Sequence, residues 1–158
     1  MIDEEYSYSV EEQNVSEGIV RAQGVEFEVG GDPIPKGRPR AAGHIYTPTR
    51  TKKQEKKIRD AYEDKYEGAA FEKGVPLRLE TEFFFGVPKS GTKKEKRERI
   101  ENIKRPMGKG DIDNLQKTVA DALNGVAFHD DSQIVEMVGR KYWGEFGKTV
   151  VRITRLDG

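Results

Sequence analysis

Between residues 24 and 30, Val25, Phe27 and Val29 alternate with Glu26 and Glu28, a period of two that predicts a half-buried strand. The same period returns from Val75 to Val87, where Leu77, Leu79, Thr81, Phe83 and Phe85 share one face. From Asn114 to Asn124 the pattern changes. Leu115, Thr118, Val119, Ala122 and Leu123 fall on one helical stripe, and Gly125 stands where such a helix ends. Two more helices have thinner stripes: one from Thr49 or Thr51 to about Glu67, carrying Ile58, Ala61 and Tyr62, and a charged one from Lys93 to Lys104. Ser132 to Trp143 and Lys148 to Leu156 read as strands, and the short link through Gly144 and Gly147 predicts that they form an antiparallel hairpin. The order of elements predicts an α+β fold, a single domain with helices packed on a mixed, mostly antiparallel sheet.

Residues 1–22 hold neither period and are strongly acidic, so they are read as an arm outside a domain spanning 23–158. The absence of cysteine excludes a disulfide framework, a thiolate metal site and a cysteine nucleophile. Two histidines, His44 and His129, are too few for a histidine-rich zinc site, and His129 is expected to be structural. No apolar run approaches the ~20 residues of a membrane helix, and the acidic N-terminus is the reverse of a signal peptide. The expectation is a cytoplasmic protein with no membrane partner.

The 158 residues carry 28 basic and 28 acidic side chains, a formal net charge of zero that averages unlike segments. Residues 1–32 hold nine acids against Arg21, residues 33–109 hold 21 Lys and Arg against 11 Asp and Glu, and residues 110–158 hold six against eight. The basic middle is a candidate polyanion surface. Within it, Lys36, Arg38 and Arg40 sit in a proline-stiffened stretch suited to tracking backbone phosphates at low ordering cost. Lys52, Lys53, Lys56 and Lys57 can extend that surface.

The candidate chemistry lies in Gly110-Asp-Ile-Asp-Asn-Leu-Gln-Lys117 and His129-Asp-Asp-Ser-Gln133. Asp113 is the expected N-cap of the helix with Gln116 as its capping-box partner, and Asp111 would then lie in extended chain where the two carboxylates converge. Asp130 and Asp131 precede a strand that can return a third carboxylate. Clustered carboxylates repel unless a cation joins them, and an oxygen-only donor set suits Mg²⁺, with Mn²⁺ able to substitute. Such a centre suits phosphodiester hydrolysis, with Lys117 stabilising the charged transition state or leaving oxygen, or orienting water. Each residue also has a structural reading: Asp113 as a cap, Lys117 paired with Asp121, Asp130 and Asp131 as a turn. Phe83 to Phe85, Tyr142 and Trp143 are expected in the core or a dimer interface rather than between bases.

The run Asp-Ile-Asp-Asn-Leu-Gln-Lys-x3-Asp-Ala-Leu-Asn-Gly, followed by Asp-Asp-Ser-Gln-Ile-Val, resembles the RusA family of Holliday-junction resolvases. The early Pro-Ile-Pro-Lys-Gly-Arg-Pro-Arg with Tyr46-Thr47 resembles that family's N-terminal strand and loop, so the resemblance covers roughly Val25 to Leu156. It implies a homodimeric, Mg²⁺-dependent endodeoxyribonuclease that resolves four-way junctions by paired symmetric nicks, two identical sites matching the two-fold symmetry of the junction. It places the catalytic aspartates on Asp111, Asp113 and Asp131 and the lysine on Lys117, with Asp130 a candidate further ligand. Gly110 departs from the Pro or basic residue common in the family before the first aspartate. Two other readings use the same residues: a Mg²⁺-dependent nucleotide phosphohydrolase, which needs no basic loop, and a catalytically silent junction-binding dimer.

Overall fold

A computed structural model describes residues 23–37 and 49–157. The acidic arm and Arg38, Arg40, His44, Tyr46 and Thr47 lie outside the described residues. The chain runs β1 (Gly24–Gly30), α1 (Thr49–Glu63), β2 (Leu77–Gly86), α2 (Lys93–Ile100), α3 (Ile112–Leu123), a single 3-10 turn (Asp131–Gln133), β3 (Ile134–Gly144) and β4 (Lys148–Arg155). The strands form one mixed sheet in the order β1-β4-β2-β3. β4 is antiparallel to both β1 and β2, while β3 is parallel to β2 and forms the far edge. The α+β expectation therefore holds, with helices on a mostly antiparallel sheet.

Alternation decides which face of the sheet is covered. Leu77, Leu79, Thr81, Phe83 and Phe85 of β2 are buried, in register with Ile153 and Val151 of β4, which in turn face Val25 and Phe27 of β1. α1 closes this face with Ile58 and Tyr62, and α3 with Leu115, Val119, Ala122 and Leu123. The opposite face is a lattice of charge. Arg152 stands among Glu26, Glu80 and Glu82, while Arg78 pairs with Glu136 and Arg140 with Glu80. Four acids meet three bases in these pairs, so the basic middle of the sequence gives them no excess of positive charge.

The expected β3-β4 hairpin is not formed, because β2 lies between the two strands. A three-residue link, 145–147, steps across the end of β2 instead. Strand spacing makes that step ~10 Å, within the reach of three extended residues, so a short connection shows only that two ends are close. The crossing is stitched down by Val87 N donating to Gly144 O at 3.0 Å and Gly31 N donating to Gly147 O at 3.0 Å. Asp32 Oδ1 accepts from Gly86 N at 3.0 Å. A Cβ on Gly147 would stand 2.5 Å from Asp32 N and closer still to its carboxylate, so the crossing requires glycine. Thr149, Val150 and Val151 of β4 are buried in succession, so the sheet is covered on both faces at this end of the strand.

Several boundaries also differ from the expectation. α1 ends at Glu63 instead of Glu67, α2 ends at Ile100, and β3 starts at Ile134 because Asp131–Gln133 is spent in the 3-10 turn. α3 starts at Ile112 and not at Asn114, which changes the role of Asp113.

Candidate active site

Asp111 is the N-cap residue of α3, with extended backbone (φ −73°, ψ 139°), and its carbonyl accepts from Leu115 N at 3.1 Å. Its side chain makes no capping bond. Asp113, expected as the cap, lies instead inside the first turn, and no capping box with Gln116 forms. Both carboxylates are exposed, and neither meets a hydrogen-bond or ion-pair partner among the described residues. The positive end of the helix dipole favours negative charge at these positions, which lowers the cost of holding two uncapped acids together.

The corner is braced from the proline-rich loop. Gly110 adopts φ +100°, a region closed to most side chains, and a Cβ there would lie 3.1 Å from Pro35 Cγ. Glycine at this departure from the family pattern thus lets Pro35 settle on the chain just before Asp111. Lys36 N donates to Asn114 O at 2.9 Å and Gly37 N to Thr51 Oγ1 at 3.0 Å, fixing the loop to both α3 and α1.

Along α3, residues 113, 117 and 121 recur at one-turn spacing on the side opposite Leu115, Val119 and Leu123. The helix comes close to β3 because Gly139 has no side chain, and a Cβ there would lie 2.5 Å from Gln116 Nε2. An open cleft of about 310 Å³ remains between α3 and the start of β3, and Asp113, Lys117, Asp121, Asp131, Val135 and Glu136 are among its lining residues. Asp113 and Asp131, far apart in sequence, are thereby brought to one cleft beside Lys117. Asp111 is not among the residues that line it.

The two acids of the 130–131 pair separate in role. Asp130 caps the 3-10 turn, accepting from Ser132 N at 3.3 Å and from the Ser132 hydroxyl in a short hydrogen bond. That hydroxyl bond, then the backbone one, holds the Asp130 carboxyl below the usual carboxylate range. Asp130 faces a neighbouring depression with Lys73, Pro76 and His129, whereas Asp131 faces the cleft and its side chain makes no bond among the described residues.

The turn is fixed by Gln133, a residue whose role the sequence reading missed. It is buried, and its Oε1 accepts from His129 N at 3.0 Å and Asp130 N at 3.1 Å. Its Nε2 donates to Glu72 O at 2.8 Å and Val75 O at 3.1 Å, tying the turn to the chain that enters β2. The available signal was Asp130 with Gln133 three residues on, a capping-box spacing in front of a strand.

Charges lining the cleft are unevenly compensated. Glu136 pairs with Arg78 at 2.6 Å, and Asp121 with Lys36 at 3.0 Å. The side chains of Asp113 and Asp131 meet no ion-pair partner among the described residues. Lys36, expected to track phosphates, points inward to Glu55 at 2.6 Å as well as to Asp121. Burial pulls its ammonium down, but hydrogen bonds and attraction to Glu55 and Asp121 outweigh that and leave it above the ordinary lysine value. Lys52 and Lys53 are exposed on the outer side of α1, opposite its buried Thr51, Gln54, Ile58 and Tyr62.

In chemistry the donor set fits a hard divalent cation, since the cleft offers several carboxylate oxygens and no imidazole or thiolate, its one sulfur being the thioether of Met137. Among the described residues no three acidic or histidine groups are already gathered as a metal cage.

The sequence matches the family Endodeoxyribonuclease RusA over residues 30–154. It is 29% identical over 140 residues to Uncharacterized protein YqaN of Bacillus subtilis (strain 168), an alignment covering 84% of this chain and 97% of that protein. It is 34% identical over 87 residues to Crossover junction endodeoxyribonuclease rusA of Lactococcus phage r1t, covering 54% of this chain and 60% of the phage protein.

Proposed function

The chain belongs to the RusA endodeoxyribonuclease family, and we propose that it resolves four-way DNA junctions by paired nicks at a Mg²⁺ site built on Asp111, Asp113 and Asp131. One observation carries this reading: Asp113 and Asp131 share a cleft with Lys117 and have no compensating partner among the described residues. Two uncompensated carboxylates repel both each other and a DNA phosphate, so a cation is the partner that makes the cleft usable.

Asp113 and Asp131 would hold the cation, with Asp111 beside them at the helix start. Bound there, Mg²⁺, or Mn²⁺ in its place, supplies charge neutralisation at the phosphate and a more acidic water. The contribution of the chain itself is positional. Gly110, Pro35 and the first turn of α3 fix Asp111 and Asp113, and the Gln133-braced turn fixes Asp131. Lys117, on an exposed side chain at the cleft wall, places its ammonium against a phosphate oxygen and stabilises the charge that builds up on bond cleavage. Lys52 and Lys53, exposed on α1, supply phosphate contacts, and the basic Arg38 and Arg40 are further candidates for that role from the sequence. In a homodimer two such clefts would act on symmetric strands of one junction.

The test compares a labelled four-way junction with a linear duplex and a nucleoside triphosphate, each with and without Mg²⁺. Paired symmetric nicks on the junction, only with the cation, are expected. Equal cutting of the duplex would overturn junction selectivity. Phosphate release from the nucleotide alone would make the protein a phosphohydrolase, and tight junction binding without nicking would make it a silent binder.

A further inference from the structure

The Lys36 side chain lies between α1 and α3 and is only 20% exposed. Its Nζ is 3.0 Å from Asp121 Oδ2, and the same oxygen is 3.9 Å from the Nζ of Lys117, whose side chain is 60% exposed. One carboxylate oxygen thus stands between two ammonium groups and is engaged by the inner one. The loop that carries Lys36 is anchored by its backbone to Asn114 and Thr51, and Pro35 rests on Gly110. Swinging Lys36 out to a phosphate would strand Glu55, whose side chain is only 15% exposed, without that cation and would leave Asp121 to Lys117 alone.

Asp121 and Lys117 are one helical turn apart, a spacing at which oppositely charged side chains close on each other. Closure would capture the Lys117 ammonium in a charge-assisted hydrogen bond and withdraw it from any phosphate in the cleft. We infer that Lys36 is a positioning residue: by occupying the Asp121 carboxylate it leaves the Lys117 ammonium available to the scissile phosphate. The proline-rich loop is then a strap that tunes the catalytic helix, and Lys36 is not one of its DNA contacts. This rests on the role proposed above for Lys117.

Cleavage rate at saturating junction, junction Kd and thermal melting separate the possibilities. Lys36→Met should slow cleavage about tenfold, the worth of one charge-assisted hydrogen bond, with little change in Kd. Adding Asp121→Asn to Lys36→Met removes the competing carboxylate and should recover most of the lost rate, an effect no purely structural role of Lys36 produces. If Lys36→Met does not fold, Lys36→Gln, which keeps a polar group between the helices, should be slowed and rescued in the same way. A double variant no faster than the single one would overturn the inference. So would a Lys36→Met protein whose Kd weakens while its rate at saturation is kept, since Lys36 would then be a phosphate contact. Lys117→Ala identifies which claim has failed: full activity there removes the role of Lys117 and the inference with it, whereas lost activity without rescue in the double variant removes the inference alone.

Discussion

The Gln133 side-chain amide donates to the carbonyl oxygen of Glu72 at 2.8 Å, joining the turn that presents Asp131 to the chain that enters β2. The Asp131 side chain has no partner of its own among the described residues, so its placement depends on that joint. Gln133→Ala leaves one buried and one half-buried carbonyl and two backbone amides at the turn without the side chain that satisfies them, and should cost about 1–3 kcal/mol of stability in denaturant unfolding. Cleavage should fall about 10- to 100-fold, as for supporting residues of metal sites, with a smaller change in junction affinity. Gln133→Glu should do worse, because its carboxylate would face the carbonyls of Glu72 and Val75. Equal losses in affinity and rate would count against a positioning role.

Tyr62 makes a separate prediction at high pH. Its ring is fully buried against Phe27, and its hydroxyl donates to Gly68 O at 2.6 Å. Burial pushes its phenol up from 10.0 to about 12. The folded state therefore holds the proton more tightly than the unfolded chain. This contribution to stability is complete below pH 10 and is lost as pH rises through about 12. In a tyrosinate absorbance titration, one of the six tyrosines should ionise last, near the pH at which the fold is lost. Tyr62→Phe should remove that late step, and an early, reversible titration of all six would contradict the burial.

Lys52 and Lys53 project from α1 away from its buried face. If they meet phosphates, replacing both by Ala should weaken junction and duplex binding alike. The slope of log K against log salt should fall by about 2, roughly one for each phosphate left without its lysine. Cleavage at saturating DNA should be kept. An unchanged salt slope would remove these lysines from the DNA surface.

The parts of this fold that depend on local pattern were legible in the sequence. β1 runs over the predicted residues 24–30, and all five residues on one face of β2 are buried, because alternation on a half-covered sheet is a strong signal. The stripe of α3 is likewise buried. Strand order was not legible. Nothing within residues 132–156 encodes that β2 passes between β3 and β4. At the site, the sequence pointed to Asp111, Asp113, Asp131 and Lys117 but misread the local setting of Asp113 and of Lys36. Asp113 looked like a cap because a capping acid and a first-turn acid differ by two residues of helix boundary. Lys36 looked like a phosphate contact because its partners, Glu55 and Asp121, are brought to it only by the packing of α1 against α3.

The unlike fates of Asp130 and Asp131 expose the proposed site to its most direct test. Aspartate-to-asparagine variants at 113, 130 and 131 should be compared on a labelled four-way junction with Mg²⁺, with junction Kd measured alongside. Asp113→Asn and Asp131→Asn should lose paired nicking by at least about 100-fold while still binding the junction. Asp130→Asn, which only loosens the Ser132 turn, should lose far less. Nicking by Asp131→Asn at the wild-type rate, or loss confined to Asp130→Asn, would contradict the site.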